Sequence, residues 1–147
     1  METTDPIVFA RAAAAALWSY DTRARTQQDH LQDLRAWLTG EDGVADEASV
    51  AAQVPGPVLW ERMRDNGQYA TAEVFEAHFP AAFTDALAAD PGAITDAYVY
   101  AVTATGEQTI RWNGGGQGAE PRAVTLAVQC RPEQPCALVG VLPTVAP

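Results

Sequence analysis

The chain has 147 residues and a formal net charge of −10, and all nine of its basic residues other than histidine are arginines. A chain of this length suits one domain that buries about 68 to 70% of the surface exposed by its unfolded form. The acidic balance argues against direct nucleic-acid binding and against contact with an anionic bilayer, because both surfaces are negatively charged. We predict a single domain over residues 1–147, with residues 1–4 disordered.

The first half of the chain has the spacing of helices. Asp5 followed by Pro6 is typical of an N-cap and a first helical residue, and apolar residues then recur at helical spacing. Thr26 and Asp29 have the spacing of a capping box. They predict a second helix that continues to Gly40, since glycine commonly follows a helix end.

Two further helices are predicted before the pattern changes. The first covers residues 47–53 and stops before a Pro-Gly-Pro sequence. The next begins there, with Leu59, Trp60 and Met63 on one side, and ends at Gly67.

The second half has the alternation of strands. A strand is predicted from Gln68 to Phe75, although the same residues would tolerate a helix. Pro80 then precedes a short helix or irregular connection over residues 81–89. Further strands are predicted over residues 94–103, 108–113, 123–130 and 137–142. Hairpins are predicted at Gly106, at residues 114–116 and at residues 131–135. This order predicts an α+β fold with N-terminal helices packed on one face of a curved antiparallel sheet.

The only two cysteines, Cys130 and Cys136, flank the last predicted hairpin. Counting by twos along each strand places both sulfurs on the apolar face, so a disulfide across the hairpin is the favoured interpretation. Two free buried thiols are an alternative, because free cysteine is common in cores. A zinc site is a third, although the spacing is wider than usual and only His30 and His78 could complete it.

A disulfide would place the domain outside the cytosol, where such bonds persist. The longest apolar run, Ala12 to Trp18, is too short for a membrane span, and the acidic start does not resemble a secretory leader. We therefore expect a membrane anchor upstream of this sequence. Reduced cysteines would instead favour a cytoplasmic protein.

Few residues have a pattern that points to catalysis. Neither His30 nor His78 has a serine, cysteine or second histidine at a spacing typical of a catalytic site. We interpret both as surface or strand-end residues. Asp96, Tyr98 and Tyr100 fall on one face of a predicted strand, which could supply an acid and phenols to a cleft. We predict no catalytic residue, no metal site and no cofactor.

Aromatic residues of the helices and strands have two interpretations. They anchor the packing of helices on the sheet, or they line a ligand cavity inside it. The residues that could line such a cavity are Trp18, Trp37, Trp60, Phe75, Tyr98 and Tyr100.

Several loose motifs together resemble a known family. They are an opening Asp-Pro-x-x-Phe-Ala-Arg helix from Asp5, the stretch Leu17 to Thr22, the Val58-Leu59-Trp60 segment, the Pro80 break, and the cysteine pair followed by Leu138. In this order they resemble the soluble domains of actinobacterial conjugation proteins of the TcpC type and of the bitopic scaffold component of type IV secretion systems. The resemblance covers nearly the whole chain.

The resemblance implies a nuclear transport factor 2-like fold, shaped as a cystatin-like cone. It also implies a non-enzymatic, membrane-anchored scaffold domain that lies on the extracytoplasmic face and assembles with itself or with other channel components. The alternative is a small-molecule binding protein or enzyme that uses the cone-shaped cavity of the same fold.

Overall fold

The computed structural model describes residues 2–92 and 97–143. Part of the strand predicted from Ile94, including Asp96, lies outside the described residues. The helices are α1 (Pro6–Trp18), α2 (Gln27–Arg35), α3 (Glu47–Ala51), α4 (Pro57–Asp65) and α5 (Ala81–Ala89). The strands are β1 (Tyr20–Asp21), β2 (Tyr69–His78), β3 (Val99–Trp112), β4 (Gly116–Gln129) and β5 (Ala137–Leu142).

The five strands form one antiparallel sheet in sequence order, curled into a half-barrel, with helices packed against it. The predicted α+β class is therefore confirmed. The first helix crosses the concave face and contacts β2, β3 and β4. Its alanines permit this close approach, since Ala10 and Ala14 are completely buried. Aliphatic side chains of the central strands, including Val102 and Leu126, complete the core beneath it.

The predicted starts of the first two helices are confirmed. The Asp5 carboxylate accepts hydrogen bonds from the backbone N–H groups of Ile7 and Val8 at the start of α1. At the start of α2, Thr26 Oγ1 accepts from the Asp29 N–H, and Asp29 accepts from the Thr26 N–H. These bonds satisfy backbone donors that have no partner within a helix.

Two helix predictions need correction. The second helix ends at Arg35, and Leu38 instead forms a bridge to Leu138 at the outer edge of β5. In α4, Trp60 and Met63 are buried as predicted, whereas Leu59 is 53% exposed. The reason is that the buried face of this short helix is narrow and the adjacent position lies outside it.

The predicted hairpin at Gly106 is wrong. Residues 99–112 form one continuous strand, and Gly106 pairs with Val74 where β2 contains a bulge. A Cβ atom at Gly106 would lie 2.1 Å from the Glu73 carbonyl oxygen, so glycine there permits close backbone approach instead of a turn. The true β3–β4 turn contains Gly114 and Gly115, both with positive φ, as the glycine run predicted.

A bulge also changes the last strand. The β4–β5 register shifts between Ala127 and Val128, so that Leu138 pairs with Val128 but Val141 pairs with Leu126. The core-facing residues of β5 are therefore Leu138 and Val141, and counting by twos past the bulge selects the wrong face.

The start of the chain lies against the cysteine hairpin. The backbone N–H of Cys136 donates to the Thr3 carbonyl oxygen over 2.7 Å, and the Asp5 N–H donates to Thr3 Oγ1 over 3.1 Å. In residues 2–92 and 97–143, no helix combines the length and apolar character that crossing a membrane requires.

Candidate functional site

The cysteine hairpin joins the end of β4 to the start of β5. Cys130 Sγ and Cys136 Sγ lie 2.08 Å apart, at disulfide-bonding distance, and each residue is 6% exposed. Both belong to the hydrophobic core that also contains Phe9 and Leu138. The pair therefore lies across the hairpin at the point where the first helix packs on the sheet.

A polar groove of about 420 Å³ lies beside this hairpin. The Arg131 guanidinium donates to both carboxylate oxygens of Glu41, over 3.1 and 2.7 Å, and lies over the Tyr98 ring. Gln129 donates to Glu41 as well, and it accepts from Thr39 Oγ1. The bonds from Arg131 and Gln129 hold the pKa of the Glu41 carboxyl below its usual value.

These groups satisfy one another and tie the loop after α2 to the cysteine hairpin. The buried Gln129 side chain is also bonded to the Ala97 carbonyl oxygen, over 3.1 Å. A ligand that entered the groove would have to compete with the Arg131–Glu41 ion pair. We conclude that the groove is built chiefly to hold the hairpin in place.

A second cleft, of about 190 Å³, opens on the concave face between α1 and β4. The buried Gln108 donates to the Trp18 carbonyl oxygen over 2.8 Å and accepts from Arg122 Nε and Nη2. Arg122 Nη2 also lies 2.9 Å from a Glu120 carboxylate oxygen. The side chain of Gln53 lines the same cleft.

Tyr20 lies near this charged pair. Its hydroxyl accepts from Gln68 Nε2, and burial raises the pKa of the Tyr20 phenol although that hydrogen bond and the charge on Arg122 oppose the shift. A phenol with a raised pKa stays protonated near neutral pH, so it acts as a hydrogen-bonding group there.

The six predicted cavity residues fall in different environments. Trp60 is a fully buried residue of α4. It packs on Tyr20 and His30 and donates from Nε1 to the Arg25 carbonyl oxygen. Trp18 lines the concave cleft, and Trp37 packs on Phe9 beside the cysteine hairpin.

The other three cavity residues are also separated. Phe75 lies at the β2 bulge and is 56% exposed. Tyr98 lies under Arg131, and Tyr100 packs on Phe79 and Phe83. Among the described residues, the six therefore do not line one common cavity.

The two histidines lie on different elements, His30 in α2 and His78 at the end of β2. His30 is 7% exposed and packs on Trp60 with a centroid separation of 5.2 Å, and burial lowers the pKa of its imidazole. It is therefore a core residue, contrary to the surface or strand-end prediction. His78 is half-buried at the end of β2, with Nδ1 2.9 Å from a Glu76 carboxylate oxygen.

Comparisons with protein-family models, curated proteins and solved structures gave no match to this chain.

The sequence did not predict one structural feature, the edge of β4 that the described part of β5 leaves unpaired. Among residues 2–92 and 97–143, β5 pairs with Thr125–Gln129 of β4 and with no earlier residue of that strand, and residues 117–123 are exposed. The backbone N–H of Cys130 donates to the facing carbonyl of Tyr98, which identifies a hydrogen-bonded pair. Such pairs alternate along an antiparallel ladder, and the β3–β4 register is unbroken, so even-numbered residues of β4 bond to β3.

The odd-numbered residues therefore direct their backbone polar groups to the other edge. Three outward N–H groups belong to Gln117, Ala119 and Ala123, and the same residues and Pro121 supply outward carbonyls. Pro121 lacks an N–H group, and it occupies the kind of edge position where proline is tolerated. The length of β4 follows from that of β3, with which it pairs over its whole length. Predicting it from the sequence would require recognising that Gly106 lies inside β3, as a site of close backbone approach, and not in a turn.

Proposed function

We propose that this chain is a non-enzymatic assembly domain on the extracytoplasmic face of the cell membrane, within a conjugative transfer apparatus of the type IV secretion kind. Its partners are other components of the channel, itself, or both. In the full-length protein an anchor would precede the domain. The proposal excludes direct contact with nucleic acid, since the chain carries a net charge of −10.

The observation that carries this proposal is the buried Cys130–Cys136 pair at disulfide-bonding distance. Disulfides persist in oxidising compartments and are rare in the cytosol. Thr3 lies beside the same hairpin, because its carbonyl oxygen accepts a hydrogen bond from the Cys136 N–H. An upstream anchor would therefore place the cysteine hairpin near the membrane.

The arrangement of the elements gives further support. Helices on the concave face of a curled antiparallel sheet are compatible with the nuclear transport factor 2-like fold of the conjugation proteins that this chain resembles. A fold class hosts many functions, so this agreement adds weight only together with the disulfide.

The alternative is a small-molecule carrier or enzyme that uses the concave cleft. At about 190 Å³ the cleft is smaller than the roughly 300 to 1,000 Å³ of typical ligand sites. The larger groove beside the cysteine hairpin has the necessary volume, but its charged groups are already paired. These two observations favour assembly over ligand chemistry.

The proposal is tested by intact mass and by interaction. Protein isolated from its native host under thiol-blocking conditions should show a mass two hydrogens below that of the reduced chain. Pull-down should recover other transfer components, and light scattering after size exclusion should give the stoichiometry. Two alkylatable thiols, together with a monomer that binds no transfer component, would overturn the proposal.

A further inference from the structure

We propose that the open edge of β4 binds an extended segment of a partner protein by antiparallel strand addition, with a preference for an acidic residue two positions before a basic one. This inference rests on the proposed function, because it names the surface with which such an assembly domain would hold its partner.

The backbone of the edge supplies the main-chain part of the interaction. Gln117 and Ala119 each present an outward N–H and an outward carbonyl beyond the end of β5, and Pro121 presents a carbonyl alone. Strand addition uses such unpaired groups for affinity and uses alternate side chains for specificity. The gap at Pro121 makes the edge a poor template for a long continuous ladder while leaving bonds for a short segment.

The side chains beside this edge supply the specificity. Glu120 and Arg122 lie on the same face of β4, because residues two apart in a strand share a face. A residue of the added strand opposite Arg122 would lie next to the concave cleft, and the residue two positions later would lie opposite Glu120. Opposite charges on directly opposed residues stabilise strand pairing, and like charges at such positions destabilise it.

The position opposite Arg122 has spare hydrogen-bonding capacity. Arg122 uses Nε and Nη2 for its contacts with Gln108 and Glu120, and its Nη1 has no hydrogen-bond partner within the part of the chain that the structure describes. The cleft also contains the Gln53 amide, which makes no side-chain hydrogen bond among the described residues. A carboxylate at that position can accept from both groups, and this fixes the acidic member of the pair.

A second copy of this chain fits the edge less well than a partner does. The antiparallel register that sets Glu120 opposite Arg122 of the second copy also sets Pro121 opposite Pro121, where neither residue has an N–H to donate. Two copies also repel each other over long distances, since each carries a net charge of −10. The occupant is therefore a segment of a different protein.

Amide hydrogen exchange followed by NMR tests the edge in the whole chain. In the free protein we expect fast exchange at Gln117 and Ala119, and slow exchange at Gly118 and Glu120, whose N–H groups bond to β3. The probe is an acetylated and amidated nine-residue peptide of threonine and valine that carries the sequence Asp-Thr-Lys at its centre. Its binding should slow exchange at Gln117 and Ala119 and leave Gly118 and Glu120 unchanged.

The matched peptide control has the same composition with the central sequence reversed to Lys-Thr-Asp. It should bind about tenfold more weakly, because both charged pairs become like-charge pairs. On the protein, Ala119→Pro removes an outward donor and should weaken binding of the Asp-Thr-Lys peptide at least about tenfold. Ala119→Thr keeps the donor and should leave binding unchanged, with circular dichroism showing that both variants fold.

Several results would overturn the inference. Equal affinity for the two peptides, no binding at millimolar concentration, or protection outside the β4 edge would each do so. Slow exchange at Gln117 and Ala119 in the free protein would also overturn the inference. If dilution made that exchange faster, a second copy would be covering the edge, and if dilution had no effect, this chain itself would be covering it. Undiminished recovery of transfer components by Ala119→Pro would reject the edge while leaving the proposed function standing.

Discussion

Gly106 shows how a single residue controls the path of the sheet. Its position beside the β2 bulge leaves no room for a side chain, because an added Cβ would lie 2.1 Å from the Glu73 carbonyl oxygen and 2.9 Å from Val74 Cα. Both neighbours are backbone atoms, so they cannot move without disturbing the ladder. A glycine within a strand pattern is compatible with a turn and with a close approach of two backbones, and the sequence alone does not separate the two.

We predict that Gly106→Ala lowers the free energy of unfolding by about 1 to 3 kcal/mol, the usual cost of overpacking. Gly118→Ala is the matched control, since an added Cβ there meets nothing within 4 Å. That variant should change stability by no more than about 0.5 kcal/mol. Urea denaturation of the two variants measures the difference, and equal midpoints would show that β2 and β3 can separate at no cost.

His30 gives the domain a pH-dependent stability. Burial against Trp60 lowers the pKa of the imidazole, while nearby Asp33 opposes the shift and Arg25 adds to it. The folded pKa is thus lower than the unfolded one, and the unfolded chain binds the proton more readily. Stability is therefore complete above a pH of about 6.5 and falls as the pH is lowered toward the folded pKa.

We expect the melting temperature of the wild-type domain to fall between pH 7.5 and 5.5 by more than that of His30→Phe. Phenylalanine keeps a ring on Trp60 but does not titrate. Carboxyl groups whose pKa is lowered in the fold, such as Glu41 and Glu76, titrate below this window and contribute equally to both proteins. Parallel melting curves across the window would contradict the prediction.

At the scale of elements, the sequence predicts a helix start or a hairpin when the residues that determine it lie close together in the chain. The capping residues Asp5 and Thr26 determine where α1 and α2 begin, because their bonds reach only two or three residues along the chain. The cysteine hairpin was likewise marked by its own residues. The α+β class was predictable because helical spacing in the first half of the sequence is followed by strand alternation in the second half.

Elements that depend on distant partners could not be predicted. The two-residue strand β1 exists because Tyr20 and Asp21 pair with Ala70 and Tyr69 of β2. The bulge in β5 places Leu138 and Val141 on the same face, and the strand has no polar residue whose position would reveal that change. The open edge of β4 is defined by where β5 ends, which is a property of two strands together.

The cysteine hairpin should contribute measurably to stability. In the loop-entropy account, closing so short a loop stabilises the fold by about 2 kcal/mol. We predict that Cys130→Ser with Cys136→Ser lowers the free energy of unfolding by at least this amount, since both side chains are buried in the core. Urea denaturation is the measurement.

The reduced wild-type domain is the control for that experiment. It should approach the double variant in stability, because the covalent link is absent in both. Addition of reductant should not change the unfolding midpoint of the double variant. If reductant also left the wild-type midpoint unchanged, the two sulfurs would not be bonded in solution.

At the scale of the whole molecule, acidic side chains outnumber basic ones by 19 to 9. Among the described residues, five arginines are held in ion pairs with carboxylates, and most of the side chains in those pairs are more than a third exposed. Exposed ion pairs contribute little to stability, so their screening by salt costs little. The excess carboxylates, by contrast, repel one another in the compact state, and salt effectively screens this repulsion because it acts between well-separated exposed charges.

We therefore predict that the domain is more stable at 0.15 M than at 0.01 M sodium chloride, between which the screening length falls from about 30 to about 8 Å. The gain should be on the order of 1 kcal/mol, or roughly 3 °C in melting temperature for a chain of this size. Choline chloride should give the same gain if general screening is the cause, because a specific sodium site would not accept choline. A lower melting temperature in salt would mean that the ion pairs outweigh the self-repulsion, and that the acidic surface is balanced locally despite its net charge.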